Sequence, residues 1–172
     1  MRIMINALSA RRGGGQTYLQ HLLDKFPDTD HPEIIIAAPS SLKIPENRPN
    51  IKKLPVKFKF IERPLFRMAW ERLFFPKILS DYKIDVLFCP GGSVSGKVPD
   101  GCKVVTTFQN MMPFDHTQRK RYPFGYRRLR NWLLEKNLLS SMIRSDLVIF
   151  ISHYVSNIEI LICSVAIFSI WI

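Results

Sequence analysis

The chain is short of acid. Its 172 residues hold 14 Asp and Glu against 25 Lys and Arg, a formal net charge of +11. Such an imbalance suits an acidic partner: nucleic acid, anionic lipid or a phosphorylated substrate. Cysteine is also scarce. Cys89, Cys102 and Cys163 are odd in number and widely spaced, which argues against a disulfide framework or a zinc site and for a reducing compartment. His21, His31, His116 and His153 are scattered, with no i,i+4 pair, so no metal is expected. There is no basic region followed by an apolar stretch at the N-terminus, hence no sign of a signal peptide. Residues 160–172 are uncharged but too few to cross a bilayer, where about 20 are needed. Neither paired Cys/His fingers nor an aromatic RNA-reading strand occurs, so nucleic acid is not expected as the partner.

What the chain does have is a Gly-Gly-Gly run. Gly13, Gly14 and Gly15 join an apolar strand, Arg2–Asn6, to an amphipathic helix, Gln16–Phe26. Tyr18, Leu19, Leu22, Leu23 and Phe26 share one face of that helix. Glycine lets backbone N–H groups come close to a ligand, and the helix aims its positive dipole end at the same place. A phosphate is the natural occupant. A plain tight turn is the alternative. Gly15 is followed by Gln16 and Thr17, so the Lys-Ser/Thr ending of a P-loop is missing. The next strand, Ile34–Ala38, ends in Pro39-Ser40-Ser41. It lacks the acid that would hold a dinucleotide's ribose.

Further along, Ile51–Val56 is a weak strand broken by Pro55. Pro64 opens a helix running to about Tyr82, with Leu65, Phe66, Ala69, Leu73 and Phe74 as its apolar set and Pro76 as a kink or break. Strands follow at Asp85–Phe88, Lys103–Thr107 and Asp146–Ile151, with a helix within Pro123–Ser141. This alternation predicts an α/β, Rossmann-like, doubly wound and mostly parallel sheet with helices on both faces. Ligands of such sheets sit beyond the carboxyl ends of the strands. The loops Gly13–Gly15, Pro90–Ser93, Gln109–Phe114 and Ser152–Tyr154 should therefore share one edge. Their candidate binding residues are Gly13, Gly14, Gly15, Gly91, Gly92, Gln109, Asn110 and Ser152.

Taken together, these segments resemble the N-terminal half of a GT-B glycosyltransferase of the group-1, family-four retaining class. The resemblance is carried by Met1-Arg2-Ile3, Asn6-Ala7-Leu8, the glycine run, Asp85-Val86-Leu87-Phe88 with Pro90-Gly91-Gly92, Gln109–Asp115, and Arg144-Ser145-Asp146 with Ile149–Ser152. It covers residues 1–156. It implies transfer of a sugar from a nucleotide-sugar to a hydroxyl of a glycan or lipid-linked acceptor, in glycan biosynthesis. No cofactor is implied beyond that donor substrate. The N-terminal domain mainly binds the acceptor, and the donor sits largely in a second domain. The polar pair that closes one strand in relatives, often His-Asp, is Gln109-Asn110 here. Amides hydrogen-bond a sugar hydroxyl but do not act as general acid or base, so no catalytic residue is assigned. Residues 157–172 do not resemble the family. They read as a truncation or a shifted reading frame, with a short interfacial anchor as the alternative. The chain alone is therefore expected to be inactive, and a non-catalytic module binding phosphate, glycan or membrane is the rival reading. A nucleotide-sugar epimerase or reductase fragment fits less well, for want of the ribose-binding acid and a Tyr-x3-Lys pair.

One surface stands apart. Within Gln118–Arg130, Arg119, Lys120, Arg121, Arg127, Arg128 and Arg130 interleave with Tyr122, Phe124 and Tyr126, and Trp132 follows. Basic plus aromatic suits an anionic membrane surface; a solvated helix face with its aromatics packed inward is the plain alternative. The expected location is cytoplasmic, peripheral at the inner face of the membrane. Trp70-Glu71-Arg72 is either an acceptor contact in the cleft or part of a half-buried helix.

Overall fold

The computed structural model describes residues 1–10, 14–27, 29, 32–39, 42, 48–56, 60, 63–108 and 125–150, with the backbone alone at 150 and 166–169. Seven strands make one sheet: β1 (Arg2–Asn6), β2 (Glu33–Ala37), β3 (Ile51–Lys53), β4 (Val86–Cys89), β5 (Lys103–Phe108), β6 (Leu147–Phe150) and β7 (Ala166–Ser169). Their order is β3-β2-β1-β4-β5-β6-β7, and every pairing is parallel. The expected mostly parallel sheet is thus parallel throughout these seven strands. β3 stops at Lys53, short of the expected Val56, just before Pro55, which has no N–H to give a ladder. Four residues of the apolar tail form the edge strand β7 on β6.

Three helices are described: α1 (Gly14–Lys25), α2 (Pro64–Asp81) and α3 (Tyr126–Ile143). Period-two alternation divides the sheet between them. Ile34 and Ile36 face α1 and pack with Ile5, Leu19 and Leu23. Ile35 and Ala37 face the other way and pack with Met4, Leu87, Phe75 and Leu79, the last two from α2. α3 lies on the α2 side. Thr106, two residues along β5 from Val104 of that core, meets the Ser145 hydroxyl just past α3 at 3.0 Å. The chain winds outward from β1 to β3, crosses back through α2, and winds outward again from β4. The direction therefore reverses between β1 and β4, where ligands of open α/β sheets bind.

α2 corrects the sequence reading. Its buried stripe is Arg67, Glu71, Phe75 and Leu79. Of the expected apolar set, Phe66, Leu73 and Phe74 are exposed, Leu73 by 72%. Arg67 and Glu71 turn inward because they pair with each other across one helical turn, and the aromatic stripe is left outside. Pro64 does occupy the first turn, and the helix continues through Pro76.

At the amino edge two aspartates act alike. Asp85, just before β4, accepts the Arg2 N–H at 2.7 Å, and its own N–H donates to the Arg2 carbonyl at 3.0 Å. Asp146, just before β6, accepts the Val104 N–H at 2.8 Å and returns its N–H to the Val104 carbonyl at 2.9 Å. Each fixes the register of a parallel pair. The Val104 N–H, with Lys103 beside it, holds the Asp146 carboxyl below its usual range.

Candidate functional site

β1 ends at Asn6, and the chain turns at once. The Ala7 N–H donates to the Ala37 carbonyl at 2.8 Å, and the Ala10 N–H to the Ala7 carbonyl at 2.9 Å. α1 starts at Gly14, two residues earlier than the sequence pattern suggested. Gly14 and Gly15 are thus the first turn of the helix itself. Neither has a positive φ. Among the described residues a Cβ on Gly14 would meet nothing within 4 Å, and one on Gly15 would make ordinary contact with Ala10 Cα at 3.6 Å. No acidic side chain stands in this first turn to neutralise the dipole.

The loop after β4 is built differently. Gly92 has φ +71°, and its N–H closes a turn onto the Cys89 carbonyl at 3.0 Å. A Cβ there would press on Phe108 Cζ at 3.2 Å and Leu138 Cδ2 at 3.3 Å. A Cβ on Gly91 would run into the Ser9 hydroxyl, so this loop touches the β1 loop. α3 clamps the rest. Asn137 donates to Ser93 Oγ at 2.5 Å. Ser141 Oγ accepts the Val94 N–H at 2.8 Å and donates to the Asn137 carbonyl at 2.6 Å. The Arg144 guanidinium donates to the Gly96 carbonyl at 3.1 Å and to the Val94 carbonyl.

Four of the expected site residues are therefore described, and all lie on the carboxyl edge: Gly14 and Gly15 after β1, Gly91 and Gly92 after β4. β5 and β6 end on that edge at Phe108 and Phe150. Gly13, Gln109, Asn110 and Ser152 lie outside the described residues, as do Arg119, Lys120 and Arg121. Arg127, Arg128 and Arg130 are in the first turns of α3. Arg127 is exposed, Arg128 and Arg130 are half-buried, and Arg130 Nη2 donates to Asn131 Oδ1 at 3.2 Å. Leu138 is level with the end of β5. Tyr126, Leu129 and Trp132 of α3 are exposed, and Lys136 Nζ lies 4.6 Å from the Trp132 ring centre.

Sequence reasoning missed two features. A buried polar cluster occupies the reversal point. Glu71 Oε1 accepts from Asn6 Nδ2 at 3.2 Å and lies 3.8 Å from Arg67 Nε. The Ser95 hydroxyl also faces the same carboxyl group. Glu71 Oε2 makes no well-formed hydrogen bond among the described residues. Burial raises the Glu71 pKa above the ordinary carboxyl value, against the opposing pull of Arg67, Ser95 and Asn6. Burial, with Glu71 nearby, likewise pushes the Cys89 thiol well up. The i,i+4 spacing of Arg67 and Glu71, in line with Phe75 and Leu79, was the available signal. The trio Trp70-Glu71-Arg72 is split by the helix: Glu71 is buried, Trp70 half-buried and Arg72 exposed. The second feature is Tyr18 of α1, which reaches across to Thr107 near the end of β5. Burial raises its phenol pKa, and Thr107 opposes that shift.

No helix among the described residues is long and apolar enough to cross a membrane. Comparison with curated proteins and with solved structures found no match. The family model Glycosyltransferase Family 4 matches residues 12–158, from the residue before the glycine run to beyond β6. The parallel sheet, its reversal between β1 and β4 and the glycine-started α1 are what the Rossmann-like half of a GT-B fold requires, and the chain belongs to glycosyltransferase family 4.

Proposed function

We propose that this domain takes part in retaining transfer of a sugar from a nucleotide-sugar to a hydroxyl of a glycan or lipid-linked acceptor. Its share is the acceptor side and one wall of the phosphate site, at Gly13, Gly14 and Gly15. The observation that carries this reading is the open space at Gly14. Nothing in the described protein requires a glycine there, yet the position heads a 12-residue helix at the carboxyl edge. Backbone N–H groups and the helix dipole favour an anion at such a place. Gln109, Asn110 and Ser152 are proposed to hydrogen-bond the acceptor. With the donor held mostly by a second domain, this domain by itself contributes only weak phosphate binding. Titration with pyrophosphate and uridine diphosphate, followed through the amide signals of Gly14 and Gly15, tests the reading. Binding near millimolar is expected, roughly −4 kcal/mol, and Gly14→Val should remove it. Undisturbed Gly14 and Gly15 amides would overturn it.

A second reading, compatible with the first, is peripheral contact with an anionic membrane at the cytoplasmic face. It is favoured by the exposed Tyr126, Leu129 and Trp132 among the arginines of α3. On α2, which lies on the same sheet face, exposed Phe66, Leu73 and Phe74 stand with exposed Arg63, Arg72 and Lys77. Each basic residue near such a surface contributes about 1 kcal/mol, and salt weakens it. Co-sedimentation with phosphatidylserine vesicles should exceed that with neutral vesicles and fall in Arg127→Glu/Arg128→Glu. Equal binding to both vesicle types would remove this reading.

A further inference from the structure

The phosphate-site reading leaves the buried cluster at the reversal point without a task. Its geometry leads to the glycine loop. A carboxylate only accepts hydrogen bonds, so Glu71 Oε1 dictates which way the Asn6 amide points. With Nδ2 turned to Glu71 at 3.2 Å, Asn6 Oδ1 is left facing the Leu8 N–H at 3.4 Å. That contact spans the first turn after β1. The turn continues through the Ala10 N–H to the Ala7 carbonyl, and Ala10 Cα lies where a Cβ on Gly15 would meet it at 3.6 Å. Arg67 stands behind Glu71 and is itself only 9% exposed. Contacts thus run from Arg67 through Glu71 and Asn6 to the Leu8 N–H, in the turn that continues through Ala7 and Ala10 beside the first turn of α1.

We infer that Glu71 is a positioning residue for the glycine loop. Acting through Asn6, it sets the turn that presents Gly14 and Gly15 to the phosphate. A buried acid is costly to keep on an inner helix face, and an apolar residue in line with Phe75 and Leu79 would serve packing alone. The inverted Asn6 amide would set its carbonyl oxygen against the carboxylate and its NH2 against the Leu8 N–H. The carboxylate therefore selects one turn geometry out of two. The inference rests on the phosphate-site reading for its purpose, and on the contacts themselves for its mechanism.

A swap of the two groups tests it. Asn6→Asp alone places two carboxyl groups face to face. Asn6→Asp with Glu71→Gln moves the carboxylate to the strand, keeps the net charge of the cluster and restores one donor facing one acceptor. The carboxylate brought to the end of β1 would still offer an oxygen to the Leu8 N–H. Two readouts are taken on the whole chain: the ligand-free amide signals of Leu8, Ala10 and Gly14, and affinity for pyrophosphate. The single Asn6→Asp variant should shift those signals and weaken pyrophosphate about tenfold. The double variant should return the signals and bring affinity back within about threefold, because coupled positions do not add. Shifts that simply add in the double variant would overturn the inference. If the parent binds no pyrophosphate yet the amide signals are rescued, the phosphate reading fails and the positioning stands. Should Asn6→Asp not fold, Glu71→Met, which offers no strong acceptor to the Asn6 amide, decides: unmoved Leu8 and Gly14 amides would overturn it.

Discussion

The glycines after β1 and those after β4 occupy the same edge of the sheet under opposite constraints. Gly92 is held by its surroundings: a left-handed backbone, with Phe108 and Leu138 where a side chain would go. Gly96 is hemmed in as well, since a Cβ would lie 2.8 Å from the Glu71 carbonyl oxygen. Gly14 has an ordinary helical backbone and open space. The β4 loop needs its glycines to fold. At Gly14 the described residues make no such demand, and the proposed phosphate contact is the reason offered for it.

The comparison breaks most easily at Gly92. Gly92→Ala adds left-handed strain and overpacking, each about 1–3 kcal/mol. A thermal melt should show a fall of about 2–4 °C for each kcal/mol lost in a chain of this size. An unchanged midpoint would mean that the β4 loop tolerates a side chain after all, and the contrast would vanish. Ser141→Ala comes next. It leaves the buried Val94 N–H without its acceptor, at about 1–3 kcal/mol. Stability in urea should drop while the Gly14 and Gly15 amide signals stay in place; movement of those signals would show that the two loops are not independent. The smallest effect belongs to Gly14→Ala. At a compatible helical position this change stabilises by about 0.4–1 kcal/mol, mainly through the unfolded chain. The melting midpoint should hold or rise slightly while pyrophosphate affinity falls. A destabilisation matching Gly92→Ala would make the β1 loop structural too.

The same contrast explains what could be read from the chain beforehand. Ile34-Ile35-Ile36-Ala37 is legible as a buried parallel strand because both faces need apolar side chains, and the structure buries all four. Pro64 and Pro55 act locally, and their effects on α2 and β3 follow without tertiary knowledge. α2 could not be read in the same way. Phe66, Leu73 and Phe74 outscore Arg67 and Glu71 on any hydrophobic pattern, yet the ion pair and Asn6 take the inner face. That outcome depends on a strand residue 65 positions away. Gly91 and Gly92 resemble Gly14 and Gly15 in sequence because their distinguishing neighbours, Ser9, Phe108 and Leu138, come from other elements. The family was legible because its motifs fall at strand ends. The Glu71 cluster was not, because it is assembled from α2, β1 and the β4 loop.

Asp85 and Asp146 carry a further consequence. Both sit at the amino edge, opposite the proposed site, and each fastens one parallel pair with its carboxylate and its own N–H, bonded to the neighbouring strand's backbone. The sheet is thereby aligned from its far side. Loops at the carboxyl edge can be lengthened, shortened or rewritten without loosening the register beneath them. Such a layout lets one scaffold accept many different carboxyl-edge loops over evolutionary time, while substitutions at the two aspartates would be felt in every version.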